Sequence, residues 1–290
     1  MGILDCLCLL VCVAGYCVLY LITSTSTAPG TPALLGNLAT SSFIPTQWLL
    51  VFRALIALSI WYVCGRLLLD KDGLTLDIAK RDKSVMRVTL VHGERFAPFT
   101  VWCWTLQGLY FTIAAYASAT HCGLLSASSS SPTLISVACI LYELSFSVAF
   151  LVSAVVSFVL IPATVSRGLP LDSFFKPWPL VMHNANVLFV SLEMVMNRLS
   201  FDSNHHPWVL LYACSYVLFA WFWYQKNGYF FYFFLDYTDP FAPLWYLALL
   251  LLLLLCFFAG FVVSQYVEQG STVAMALLAA TTIIVQRVRK

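Results

Sequence analysis

The sequence contains little charge. Only 10% of its residues are Asp, Glu, Lys or Arg, whereas 61% are hydrophobic, and this balance lies far outside the range of soluble domains. The formal net charge of +2 is too small to indicate a nucleic-acid partner. We therefore interpret the chain as an integral membrane protein.

The ten cysteines lack the spacing of a metal site. No two of them form a Cys-x-x-Cys pair, and most lie inside apolar stretches. This distribution argues against a zinc knuckle and against a disulfide framework. We interpret the cysteines as small apolar side chains, and we expect no metal and no other cofactor.

The sequence contains seven long apolar runs. A helix needs roughly 20 apolar residues to cross the hydrocarbon core, and each of these runs is a candidate crossing. The shorter run Ser271 to Val285 is a candidate for an eighth. The fold class predicted is an all-α polytopic transmembrane bundle of about seven or eight helices. It divides into an N-terminal helix and linker (1–46), a six-helix core (47–264) and a C-terminal hydrophobic segment with a basic tail (265–290). The seven long runs are Ile3 to Ile22, Trp48 to Leu69, Phe99 to Ala119, Leu134 to Ile161, Leu180 to Leu199, Trp208 to Tyr224 and Leu244 to Val263.

The first run has two interpretations. It stands at the N-terminus and precedes a Ser/Thr/Pro-rich linker, Thr23 to Pro32, as a signal peptide would. However, no basic residue precedes it and its apolar run is long. We therefore favour a retained membrane helix.

The positions of Lys and Arg predict the orientation, because cytoplasmic loops are enriched in them. With the N-terminus inside and eight crossings, the outer loops keep essentially Arg198 alone. The charged loop from Asp70 to Arg95 is predicted to be a solvated or interfacial helix, with Leu74, Ile78, Val85 and Val88 resting on the bilayer. The residues predicted to be cytoplasmic are Lys71, Lys80, Arg81, Lys83, Arg87, Arg95, Arg167, Lys176, Lys226, Arg287, Arg289 and Lys290.

Two polar residues, Thr100 and His183, stand at the start of two apolar segments that this orientation places on the same side of the membrane. Trp104 and Gln107 share a helix face with Thr100 by their spacing, and Asn186 shares one with His183. Asn184 and Glu193 lie to the side of that face. Ionisable groups within a membrane are costly and usually face the bundle interior or a wet cavity, so the helix of His183 is expected to line a site.

These residues permit acyl-transfer chemistry. A threonine hydroxyl is a weak nucleophile that needs a base within hydrogen-bond reach, and a neutral imidazole is the usual one. Asn184, Asn186 and Gln107 are candidates to stabilise the oxyanion, with Trp104 a candidate substrate contact. The candidates for orienting the imidazole are Asp236, Asp239 and Glu193.

Structural interpretations stand beside these. Thr100 follows Pro98 at a helix start, where threonine is a common cap. His183 could reach interfacial water, and Glu193 could join helices as polar groups in membranes often do. The aromatic residues between Trp221 and Tyr246 are typical of an interfacial belt.

Three segments resemble the androgen-induced membrane protein family. The first contains Thr100, Gln107 and Tyr110-Phe111, and the second contains Met182-His183 and Glu193-Met194. The third runs from Tyr216 through Trp223 to Gly228-Tyr229, Tyr232 and Phe234-Leu235. The resemblance covers roughly Trp48 to Val263 and depends on spacing and helix order.

The resemblance implies a function. Members of that family are multipass threonine hydrolases of the endoplasmic reticulum and plasma membrane that cleave fatty-acid esters of hydroxy fatty acids. Thr100 would be the nucleophile and His183 its base, acting on a lipid delivered from the bilayer. Three residues after the threonine this chain has Cys103, where well-known members carry a polar residue, so a lipid esterase of different chain preference fits equally well. A non-enzymatic transporter or a signalling scaffold is the alternative, although no inverted repeat is evident.

Overall fold

The computed structural model describes residues 2–24, 31–71, 73–79, 85–125 and 132–286. Within these ranges the chain forms ten α-helices and one antiparallel β-hairpin. The helices are α1 (Ile3–Thr23), α2 (Thr31–Ala39), α3 (Thr46–Leu69), α4 (Phe99–His121), α5 (Pro132–Val155), α6 (Ile161–Ser166), α7 (Pro177–Met196), α8 (His206–Asn227), α9 (Ala242–Glu268) and α10 (Thr272–Val285), and the strands are β1 (Leu74–Ala79) and β2 (Val85–Leu90).

Each of the seven long apolar runs forms a helix, as predicted. Six segments of the described chain are long and apolar enough to cross a membrane, namely α1, α3, the continuous stretch 132–166, α7, the stretch 203–227 and α9. The remaining run forms α4, which has 23 residues and packs between α3, α5 and α7. The shorter α10 has 14 residues. The all-α polytopic bundle is therefore confirmed, and the protein is membrane-embedded.

α4 lies at the centre of the bundle and is held closely against α3. A Cβ atom at Gly108 would lie only 2.8 Å from Cγ2 of Ile60, so the small residue permits the close approach of the two helices. Trp104, Tyr110 and Phe111 of α4 are fully buried. Because α4 is packed on several sides, its first turn has a defined position.

A π-helical turn, Val156–Leu160, joins α5 to α6. Pro162 explains it, since proline has no N–H to donate to the carbonyl four residues earlier and its ring crowds that turn. The helix widens, and the N–H of Ile161 bonds to the carbonyl of Val156 instead. π-turns of this kind often occur at functional sites.

The predicted interfacial helix between Asp70 and Arg95 is wrong, because this segment forms the β1–β2 hairpin. Asp77 pairs with Arg87 across the strands, with 2.9 Å between the carboxylate and Nε. The segment is rich in β-branched residues that alternate with polar ones, a pattern typical of a strand. The i, i+4 spacing of Leu74 and Ile78 was misleading because it also fits alternate positions of a strand.

Arg95 attaches the hairpin to the bundle. Its guanidinium is buried and donates to the carbonyls of Leu67, at 2.7 Å, and Asp70, at 2.8 Å. It thereby satisfies the free C-terminal carbonyls of α3. The basic residues at 80, 81, 83, 287, 289 and 290, predicted to be cytoplasmic, lie outside the described residues.

Candidate functional site

Thr100 and His183 lie side by side. Thr100 is the second residue of α4, two positions after Pro98, and its side chain is buried. His183 lies in the second turn of α7. Its Nε2 atom is 3.5 Å from the Thr100 hydroxyl oxygen, which is long for a hydrogen bond but usual for a catalytic pair without substrate. The predicted proximity of these residues is confirmed, and their chemical roles remain a prediction.

Two cavities lie beside Thr100, and one of them also borders His183. The first is lined almost entirely by apolar side chains of α5, α8, α9 and the loop before α9. The second lies between the hairpin, the α6–α7 connection and the α8–α9 connection, and His183 lines it. Thr100, Leu160 and Tyr232 line both cavities. Thr100 therefore lies on the wall that the two cavities share.

The second cavity is the more polar of the two. Asp77 and Arg167 contribute charged groups to its wall, and Thr164 and Ser173 contribute hydroxyls. The Arg167 guanidinium lies 4.9 Å from the centre of the Phe233 ring, within the range of a cation–π contact. This cavity can accept a polar or anionic group, whereas the first can accept only an apolar chain.

Tyr232 is the site residue that sequence reasoning missed. It lies in the connection between α8 and α9, lines both cavities together with Thr100, and interacts electrostatically with the Thr100 side chain and with the backbone at Phe99 and Thr100. Burial raises the pKa of the Tyr232 phenol to about 12. The sequence offered a weak signal, because Tyr232 occurs in a signature segment but also within a cluster of aromatic residues that resembles an interfacial belt.

The predicted orienting carboxylates have partners elsewhere. Glu193 pairs with Arg53, Asp236 accepts hydrogen bonds from Thr238, and Asp239 accepts from the N–H of Phe241. Among the described contacts, none of the three carboxylates meets His183. The backbone of His183 is fixed instead by Ser153 of α5, whose hydroxyl donates to its carbonyl at 2.6 Å.

The predicted oxyanion and substrate contacts also lie away from the cavities. The Gln107 amide donates to the carbonyl of Asn186 at 3.2 Å, the Asn184 amide donates to a carbonyl of its own helix, and Trp104 packs against Phe189. Gln107, Asn184, Asn186 and Trp104 line neither cavity. Gln107 lies two helical turns from Thr100, about 10 Å along the axis, so sharing a face did not bring it to the pair.

No model of a known protein family, no curated protein and no solved structure matches this chain. Within the described ranges, no group of three or more His, Cys, Asp or Glu side chains could hold a metal ion. Beside the wall that the two cavities share, the groups able to exchange protons or donate hydrogen bonds are the Thr100 and Tyr232 hydroxyls and the His183 imidazole.

Proposed function

We propose that this protein is a membrane-embedded lipid ester hydrolase with Thr100 as nucleophile and His183 as its base. The observation that carries the proposal is the 3.5 Å approach of the hydroxyl to the imidazole, with Thr100 on the wall that two cavities share. A nucleophile and a base within reach of one another, beside space for a substrate, are the minimal elements of acyl transfer.

The reaction would follow the general course of acyl-enzyme hydrolysis. His183 takes the Thr100 proton as the hydroxyl oxygen bonds to the ester carbonyl carbon, and it then gives that proton to the departing alkoxide. This leaves an acyl-threonine. Water, deprotonated by His183, attacks the acyl carbon, and the carboxylic acid leaves as Thr100 regains its proton.

The two cavities suit an ester with two unlike arms. The apolar cavity would hold an acyl chain, because it offers hydrophobic surface with few polar groups to satisfy. The second cavity would hold the alcohol portion, with any carboxylate on it near Arg167. Fatty-acid esters of hydroxy fatty acids, the substrates of the androgen-induced family, have this form. We place the protein in the endoplasmic reticulum or plasma membrane on the same resemblance.

The transporter alternative depends on a titratable polar path through α7. Glu193 would be its proton carrier, yet this carboxylate is tied to Arg53 and to the Tyr110 hydroxyl. The carboxylate is also fully buried and lines neither cavity, so it does not border a polar path there. The esterase therefore fits the arrangement better.

Labelling with a fluorophosphonate probe tests the proposal directly. Detergent-solubilised wild-type protein should be labelled, and peptide mass spectrometry should place the adduct on Thr100. Thr100→Ala should abolish labelling. Thr105→Ala is the matched control, because Thr105 lies on the same helix with its hydroxyl bonded to the carbonyl of Val101 at 2.9 Å. Undiminished labelling and hydrolysis in folded Thr100→Ala would overturn the proposed function.

A further inference from the structure

The connection between α8 and α9 folds back over the first turn of α4. α8 ends at Asn227 and is capped by Gly228, whose φ of 77° lies in the left-handed region that favours glycine. The chain then reverses, and the short helical turn Phe233–Leu235 follows. This path brings Tyr232 to the wall shared by both cavities, beside Thr100.

The environment of the Tyr232 oxygen is distinctive. Tyr232 lines both cavities beside Thr100, and its hydroxyl interacts electrostatically with the Thr100 hydroxyl and with the backbone at Phe99 and Thr100, in the first turn of α4. N–H groups in a first helical turn have no partner within the helix. An oxygen that accepts hydrogen bonds from such N–H groups becomes a stronger donor through its own proton, because hydrogen bonds in a chain polarise one another.

The tyrosine is also held in place by its ring. It stacks on Phe234 with 5.3 Å between ring centres and 4° between planes. Its ring also lies against that of Tyr216, with 6.4 Å between ring centres, and the Tyr216 hydroxyl donates to the carbonyl of Ala97 at 3.1 Å. A donor fixed before the reaction begins needs no reorganisation when charge develops, and this is the main requirement of an oxyanion-stabilising group.

We propose that the Tyr232 hydroxyl donates the hydrogen bond that stabilises the oxyanion formed when Thr100 attacks an ester, an inference that rests on the proposed function. As the Thr100 oxygen bonds to the carbonyl carbon, the carbonyl electron pair moves onto its oxygen and the Thr100 proton moves to His183. Tyr232 keeps its proton and donates a hydrogen bond to the new oxyanion. When the electron pair returns, the ester C–O bond breaks and His183 protonates the leaving alkoxide.

The high pKa of Tyr232 is consistent with this role, since the phenol stays neutral, and therefore a donor, at physiological pH. Gln107, Asn184 and Asn186, the donors suggested by sequence, do not line the cavities. Tyr232 is thus placed to act as a catalytic residue, because it lies beside Thr100 on the wall that both cavities share.

The test compares Tyr232→Phe with Tyr229→Phe, a neighbouring tyrosine that lines neither cavity. The substrates are 4-nitrophenyl octanoate and its thiono analogue, in which sulfur replaces the carbonyl oxygen. Removing an oxyanion donor costs about 10²- to 10³-fold in kcat, so we expect that loss in Tyr232→Phe with KM nearly unchanged. Tyr229→Phe should behave as wild type. The preference for the oxo over the thiono ester should fall sharply in Tyr232→Phe, because sulfur accepts hydrogen bonds weakly.

Other outcomes overturn the inference. A folded Tyr232→Phe variant with wild-type kcat would do so, as would one that loses kcat but keeps the wild-type oxo/thiono ratio, since the latter marks a structural role. If Tyr232→Phe does not fold, wild-type protein decides, because an oxo/thiono ratio no larger than that of uncatalysed hydrolysis excludes an oxyanion donor. In each of these cases the proposed function survives provided that Thr100→Ala is inactive, and it fails only if that variant hydrolyses normally.

Discussion

Arg53 of α3 and Glu193 of α7 form an ion pair in which both side chains are fully buried. The Arg53 Nε atom lies 3.1 Å from the Glu193 carboxylate. The guanidinium also donates to the carbonyl of Leu38 in α2 and to the Ser118 hydroxyl in α4, each at 2.7 Å. Tyr110 of α4 donates to the same carboxylate at 2.7 Å. One buried pair therefore joins four helices.

Breaking this pair should destabilise the bundle without affecting the chemistry. Arg53→Met or Glu193→Gln leaves one buried charge uncompensated, and we expect each to lower the free energy of unfolding by about 3–5 kcal/mol. Detergent-denaturation curves measure this loss. The double variant Arg53→Met/Glu193→Leu should recover much of it, because no unpaired charge remains.

Per folded molecule, Glu193→Gln should hydrolyse ester at the wild-type rate, since Glu193 lies ten residues, about 15 Å, beyond His183 along α7. An inactive but folded Glu193→Gln would bring the carboxylate into the mechanism.

Thr100 and His183 should act as one unit. We expect Thr100→Ala and His183→Ala each to remove most of the hydrolytic rate, and the double variant to lose little more, because nucleophile and base depend on each other. Thr100→Ser keeps a hydroxyl and should retain part of the rate. Initial rates on reconstituted protein provide the measurement, and multiplicative losses in the double variant would argue against a shared step.

The two cavities should respond separately to blockage. Ala213 lines the apolar cavity and Ala163 lines the polar one. Ala213→Phe should shift the preference toward shorter acyl chains, because its ring would occupy space that the chain requires, while Ala163→Phe should discriminate against bulky alcohol portions. Competition between esters that differ in one arm measures both effects. Identical selectivity changes in the two variants would contradict separate arms.

The hairpin provides a test of orientation. Thr89 is exposed on β2, and the charge distribution predicts that this loop is cytoplasmic. Thr89→Cys in intact cells should therefore resist an impermeant thiol reagent and react only after permeabilisation. Labelling must be compared with that of the wild-type chain, whose own Cys8 and Cys12 are exposed. Extra labelling from outside would reverse the predicted orientation.

The contribution of Tyr232 should be independent of pH over a wide range. Because its pKa is raised to about 12, the phenol keeps its proton, and its activity as a donor is lost only as the pH rises through that value. The ratio of wild-type to Tyr232→Phe rates should therefore stay constant from about pH 6 to 10. A ratio that falls between about pH 8 and 10 would indicate a phenol that ionises earlier than its buried position requires.

The helices and the chemical pair could be predicted because local rules govern both. An apolar run must form a helix to satisfy its backbone in lipid, so every long run became one. Thr100 and His183 each stand near a helix start, and two helices that begin on the same side bring such residues to similar depth. Their contact at 3.5 Å also required α4 and α7 to be neighbours, which only the packing decided.

The remaining features depend on partners distant in the chain. Glu193 could be recognised as costly within a membrane, but its pairing with Arg53 came from the packing of α3 against α7. The hairpin was missed because its apolar spacing fits both a helix and a strand, and pairing across the hairpin decided between them. Tyr232 was one aromatic residue among many until the chain reversal at Gly228 brought it to Thr100. Sequence by itself determined which apolar segments form helices and where the polar side chains lie along them. The tertiary structure decided which polar groups meet, because hydrogen bonds and ion pairs require contact that periodicity along one helix does not specify.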